Sequence, residues 1–215
     1  LCGVVTVPSS IALLLFGPLM TEVLYFGISL EDSRYIGYVL SALSLGLVAF
    51  SINLILIRGF NAFEDTKTQV LSILIINIIS SGLSYLFLET LKSDQVTIGL
   101  GLAFAISYIV GLFVTVSLLK KHVGRFEYSH FVGQHLRLYS ASLLAMLPFF
   151  AIAYFLGWIS DDAAPFIGVL RLAFVLVGGG LSFLLLAHAF KITEIATLKE
   201  FANSLFSKRR AARKK

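Results

Sequence analysis

Two cations and two carboxylates, Arg58, Glu64, Asp65 and Lys67, crowd into the run Arg58–Thr68 together with Phe60, Ala62 and Thr68. Side chains of these types at this spacing can pair with one another, Arg58 with Glu64 or Asp65, but they do not make a reaction centre. Membrane enzymes that act on phosphates hold Mg²⁺ through clustered carboxylates. The adjacent acid pairs here are Glu31-Asp32, Glu64-Asp65 and Asp161-Asp162, which are sparse and fall on opposite sides of the membrane in the topology derived below. The sequence holds no Gly-x-Ser-x-Gly elbow, no His-Glu-x-x-His pair and no Gly-x-x-x-x-Gly-Lys loop. The lone Cys2 permits no internal disulfide and lacks the partners of a metal site. The chain is therefore expected to be no enzyme and to carry no cofactor or metal.

Polar residues inside apolar runs are the second group of candidates. Asn77, Ser80, Ser81 and Ser84 recur at helical spacing, and Asn53 lies just before the charged run. Such a stripe is costly against lipid, so it faces other helices, as interhelical hydrogen bonding, or a wet cavity, as a substrate-lining wall. Glu22 fits either a buried acid or a residue bordering the interface. Arg171 fits a headgroup anchor better than a ligand, and His188 is expected at an interface. Small residues four apart, Ala42 and Gly46, Gly99 and Ala103, Gly101 and Ala105, allow close helix approach. Gly178, Gly179 and Gly180 weaken their helix by up to ~1 kcal/mol each, which predicts a bend or a groove there.

These residues need long apolar elements to position them. At 58% hydrophobic and 13% charged, the chain lies far from the roughly 45–50% apolar and ~25% charged mix of soluble domains. Apolar runs of spanning length cover Leu1–Phe26, Tyr35–Ile57, Val70–Leu88, Val96–Leu119, Leu138–Ile159 and Phe166–Phe190. Ten-residue alternation of the barrel type is absent from them. The fold class is thus all-α, a polytopic membrane helix bundle of about six transmembrane helices. The charged run Arg58–Thr68 separates the second span from the third, because each charge costs ~2.5–3.5 kcal/mol at a bilayer centre. The organisation predicted is four helices over 1–119, a basic loop at 120–137, two more helices over 138–192, and an amphipathic segment with a basic tail at 193–215.

Lys and Arg bookkeeping supplies the orientation. Arg58, Lys67, Lys120, Lys121, Arg125, Arg137 and the tail fall on one side of six alternating spans, and Arg34 and Lys92 on the other. The charged run and the C-terminus are therefore expected in the cytoplasm. The net charge of +5 comes largely from Ser207–Lys215, and a basic tail after six spans is attracted to anionic lipids by ~1 kcal/mol per charge. Anionic membrane lipid is the expected partner of that tail, not nucleic acid. Leu1 opens an apolar run with no basic stretch ahead of it, which predicts a true span cut close to its start instead of a cleaved leader.

Arg58, Phe60, Ala62, Asp65, Lys67 and Thr68 resemble the arginine, phenylalanine-alanine and Asp-x-Lys-Thr signature of the MurJ (MviN) family. Pro8 with the apolar run after it, Leu24-Tyr-Phe-Gly27 before an acidic turn, and Arg171-Leu-Ala extend the resemblance over nearly the whole chain, with only the charged run specific. Where the family continues with proline this chain has Gln69, so a residue that would preset the first helical position is missing.

The resemblance implies a transporter of the multidrug, oligosaccharidyl-lipid and polysaccharide exporter superfamily, of which this chain would supply the last four helices of the second lobe and two lipid-groove helices. It also implies the job, flipping the undecaprenyl-linked peptidoglycan precursor lipid II across the bacterial cytoplasmic membrane in cell-wall synthesis by alternating access. The charged run would then hold two helices together. Asn53, Asn77, Ser81, Ser84 and Glu22 would line or brace the cavity, and Gly178, Gly179 and Gly180 would shape the groove. The cations that hold the pyrophosphate in that family lie mainly in segments outside this sequence, so these helices alone are not expected to transport. A related polysaccharide-lipid or drug exporter, and a non-transport scaffold recruiting cell-wall synthesis proteins, remain open readings.

Overall fold

Long apolar runs leave the backbone few ways to satisfy its N–H and C=O groups in lipid, and the α-helix does so within one segment. The computed structural model describes residues 2–25, 27–123, 128–159 and 165–190. In it the chain forms α1 (Cys2–Leu24), α2 (Leu30–Ala62), α3 (Thr66–Thr90), α4 (Val96–Val123), α5 (Tyr128–Phe155) and α6 (Pro165–Ala189). All six are long and apolar enough to cross a membrane, and no strand occurs among the described residues. The basic tail, the segment at 193–215 and the pair Asp161-Asp162 lie outside the described residues.

α2, α3 and α4 run past the apolar spans expected for them, and α5 begins well before its own. α2 is 33 residues long, and most of the stretch expected as a loop at 120–137 belongs to the ends of α4 and α5. Charges mark where the apolar layer stops, whereas a helix continues into water because its hydrogen bonds remain satisfied. Local chemistry sets the real ends. Gly27, at φ +102°, turns the chain after α1 with a conformation that costs glycine little. Ser29 caps α2, its Oγ accepting the Asp32 N–H at 3.1 Å and donating to the Asp32 carboxylate at 2.6 Å. Glu31 and Asp32 put negative charge at the positive end of the helix.

α1 is the spine. It packs on α2 along one side and on α5 and α6 along another, while α2 carries α4 and α4 carries α3. Val4 and Val7 of α1 share one apolar cluster with Val48, Leu138, Ala141, Ala145, Phe183 and Ala187. Ile11, Phe16 and Leu19 share a second with Met146, Ala153 and Val175. Hydroxyls fasten the α1–α2 seam, Ser10 donating to the Ser44 carbonyl at 2.6 Å and Ser41 to that of Leu13 at 3.1 Å.

Two of the three small pairs predicted within single helices, Ala42 with Gly46 and Gly101 with Ala105, are the two halves of one seam, whereas Gly99 lies against Phe87 and Leu91. Gly46 of α2 lies against Ala105 of α4, where an added Cβ would come 2.6 Å from the Ala105 Cα, and Gly101 of α4 lies against Ala42 of α2 at 3.1 Å. Backbone approach of this kind drives helix association in lipid, which offers no hydrophobic driving force between helices.

Candidate functional site

The charged run becomes a tight connection between two helices. α2 ends in a paired hydrogen-bond motif: the Asp65 N–H donates to the Phe60 carbonyl at 3.1 Å and the Glu64 N–H to that of Asn61 at 3.2 Å. This pattern needs a left-handed residue between them, a position usually held by glycine. Here it is Glu64, at φ +56°. Asp65 then serves the next helix, its Oδ1 accepting the Thr68 N–H at 3.1 Å as the cap of α3. One residue thus closes α2 through its backbone and opens α3 through its side chain. Phe60 is fully buried beneath the turn, while Arg58, Ala62, Glu64 and Lys67 are exposed.

Gln69 also finds its reason here. α3 starts at Thr66, so Gln69 is the fourth helical residue and not the first. Its N–H donates to the Asp65 carbonyl at 3.3 Å, a bond that proline could not make.

The polar residues of the spans divide into two kinds. Asn53 is sealed between α2 and α4, its Nδ2 donating to the Ala49 and Tyr108 carbonyls at 3.1 Å each. Ser72 of α3 and Thr115 of α4, both fully buried, share a 2.6 Å hydrogen bond. These are fasteners. Asn77 and Ser81 are instead exposed and Ser84 is half-buried, on a flank of α3 turned away from the Ser72 and Ile76 face that meets α4. Serines elsewhere in the bundle, such as Ser107 and Ser142, donate back to their own helix at 2.5 and 2.8 Å.

Glu22 and the glycine triplet are also placed by packing. Glu22 of α1 reaches Arg34 of α2 at 3.7 Å, with side chains 12% and 18% exposed respectively. That pair ties two helices at the end of the bundle opposite the charged connection. α6 passes unbroken through Gly178, Gly179 and Gly180, with no bend into another secondary structure. Gly178 receives the Phe149 ring and Gly179 the Met146 sulfur of α5, whereas nothing lies within 4 Å of a Cβ built on Gly180. Trp158 and Arg171 form a further pair, the guanidinium carbon 5.6 Å from the ring centroid.

Of the cavity candidates read from the sequence, Asn77, Ser81 and Ser84 share one flank of α3, whereas Asn53 and Glu22 are placed elsewhere by their own partners. Missed from the sequence were Ser72, Thr115 and Tyr108, whose contacts join residues dozens of positions apart, and Trp158, which pairs with Arg171 of the next helix. The one signal for Ser72 was its place one helical turn before Ile76.

Among known proteins, a family model described as lipid II flippase MurJ matches residues 1–177. That stretch includes the Glu64–Asp65 connection, the polar flank of α3 and the first half of α6. No curated protein and no solved structure matches the chain.

Proposed function

The chain belongs to the lipid II flippase MurJ family, and from that premise we propose that its helices work in carrying lipid II, a lipid-linked cell-wall precursor, from the inner to the outer leaflet of the cytoplasmic membrane. Transport of this kind moves a substrate without breaking its bonds, which agrees with the scattered carboxylates of the sequence. The observation that carries the reading is the flank of α3. Asn77 and Ser81 are exposed near the middle of a 25-residue apolar helix, and polar groups at that depth belong against protein or water, not lipid tails. A headgroup rich in hydroxyl and amide groups needs such a wall to cross an apolar layer.

The packing suggests how the wall moves. The Glu64–Asp65 connection, the Ser72–Thr115 bond and the Asn53 bracket bind α2, α3 and α4 into one body. Rocking of that body against a facing lobe would expose the α3 flank to either side in turn. In this reading these helices are the closing part of the second lobe, α5 and α6 are the tail-groove pair, and Gly180 leaves part of their surface open. The charged connection and the C-terminus face the cytoplasm by the distribution of Lys and Arg.

Depletion of the intact transporter, followed by measurement of lipid II exposed on the outer face of the cell, tests the reading. Exposure is expected to fall as the protein disappears, and unchanged exposure would sink the flippase assignment.

A further inference from the structure

Arg171, expected as a headgroup anchor, points into the bundle at one end of α6. It lies on the packed face of α6: three residues before it, a Cβ on Gly168 would touch Val23 of α1 at 3.4 Å, and four after it Val175 is fully buried. At this junction of α1, α5 and α6 the guanidinium stacks over Trp158, whose own ring is held edge-on by Phe174 at 5.8 Å. Its Nη1 is buried without a hydrogen-bond partner, while the side chain as a whole stays part-exposed. The ion pair at this end of the bundle joins Arg34 to Glu22, and Arg171 has no described carboxylate within ion-pair distance.

A guanidinium is a permanent cation, and with Nη1 buried and unbonded and no carboxylate in reach among the described residues, this one offers a place to an outside anion. We infer that Arg171 and Trp158 form a seat for the phosphate of a membrane-lipid headgroup at the end of the α5–α6 pair. Depth supports that ligand. Arg171 lies six residues into α6, about 9 Å along the axis at 1.5 Å per residue, which is the level where headgroup gives way to tail. Stacking on Trp158 fixes the plane of the fork, and a planar fork matches two phosphate oxygens at once. Phe155 and Phe166, at the facing ends of α5 and α6, are 84% and 73% exposed and offer apolar surface to the tails. The site stands on this geometry alone and does not require the flippase reading.

Trp158 is the only tryptophan of the chain, so its emission reports on the seat directly. The purified protein, in an uncharged detergent, is titrated with phosphatidylglycerol, with undecaprenyl pyrophosphate, and with inorganic pyrophosphate. A saturable change in Trp158 emission with one or both lipids is expected. R171Q should raise the half-saturation concentration at least about tenfold, and R171K, which keeps the charge but loses the fork, should fall between. A melting curve for each variant separates lost binding from lost folding, and R171K carries the test if R171Q does not fold. Equal response to both lipids identifies an ordinary phospholipid as the occupant, and preference for undecaprenyl pyrophosphate identifies the polyprenyl class. Saturation by inorganic pyrophosphate as readily as by the lipids would overturn a lipid seat. No response in the unaltered protein, or unchanged midpoints in R171Q and R171K, would overturn the site itself.

Discussion

Glu64 holds a left-handed backbone that side chains adopt at a cost, and Asp65 divides its groups between two helices. Replacing Glu64 with glycine should therefore raise stability by about 1 kcal/mol, the usual penalty of that conformation, visible as a higher melting temperature in detergent. A lower one would mean that the Glu64 side chain matters more than its backbone. Asp65→Ala should act oppositely, costing about 0.5–2 kcal/mol through loss of the α3 cap and speeding amide exchange in the first turn of α3. Retained protection there would contradict the capping role. Both effects depend on dihedral angles and hydrogen bonds, so the sequence could place charges at this connection without showing which helix each one serves.

The helices themselves were legible because hydropathy and charge are local properties. Six apolar runs, each bounded by polar residues, allowed only one secondary structure in lipid, and the structure has those six helices. Pairings were not legible. Gly46 shows in the sequence as half of a small pair on its own helix, whereas the contact that explains it is with Ala105 on α4. Gly46→Val should accordingly separate α2 from α4 and lower the melting temperature markedly, while Gly82→Ala, with nothing within 4 Å of its added Cβ, should leave the fold intact and even favour the helix slightly. Equal effects of the two would contradict the seam. Asn53 and Ser81 likewise look alike in sequence, and only their neighbours distinguish the sealed bracket from the exposed wall. With Cys2 replaced, a cysteine at Ser81 should react with a membrane-impermeant thiol reagent, and one at Leu86, which is 51% exposed and about 140° around the helix from Ser81, should not. Equal reactivity would mean that the Ser81 flank is no wetter than the rest of α3.

At the scale of the whole molecule, α1 joins a three-helix body of α2, α3 and α4 to the α5–α6 pair, so the polar flank of α3 and the apolar surface of α6 are held in one framework. That arrangement suits a cargo with a polar head and long apolar tail, and membership of the lipid II flippase MurJ family says which cargo to test. The central claim is that the α3 flank lines the route of the headgroup. The most direct measurement is lipid II exposed on the outer surface of cells whose only transporter copy carries Asn77→Leu, Ser81→Leu and Ser84→Leu. A Ser72→Ala copy serves as control for a buried fastener, and expression and melting temperature are checked for both. The account predicts that the triple variant folds yet exposes much less lipid II, by about tenfold or more, while Ser72→Ala transports in proportion to its folded amount. Undiminished exposure from the folded triple variant would contradict it.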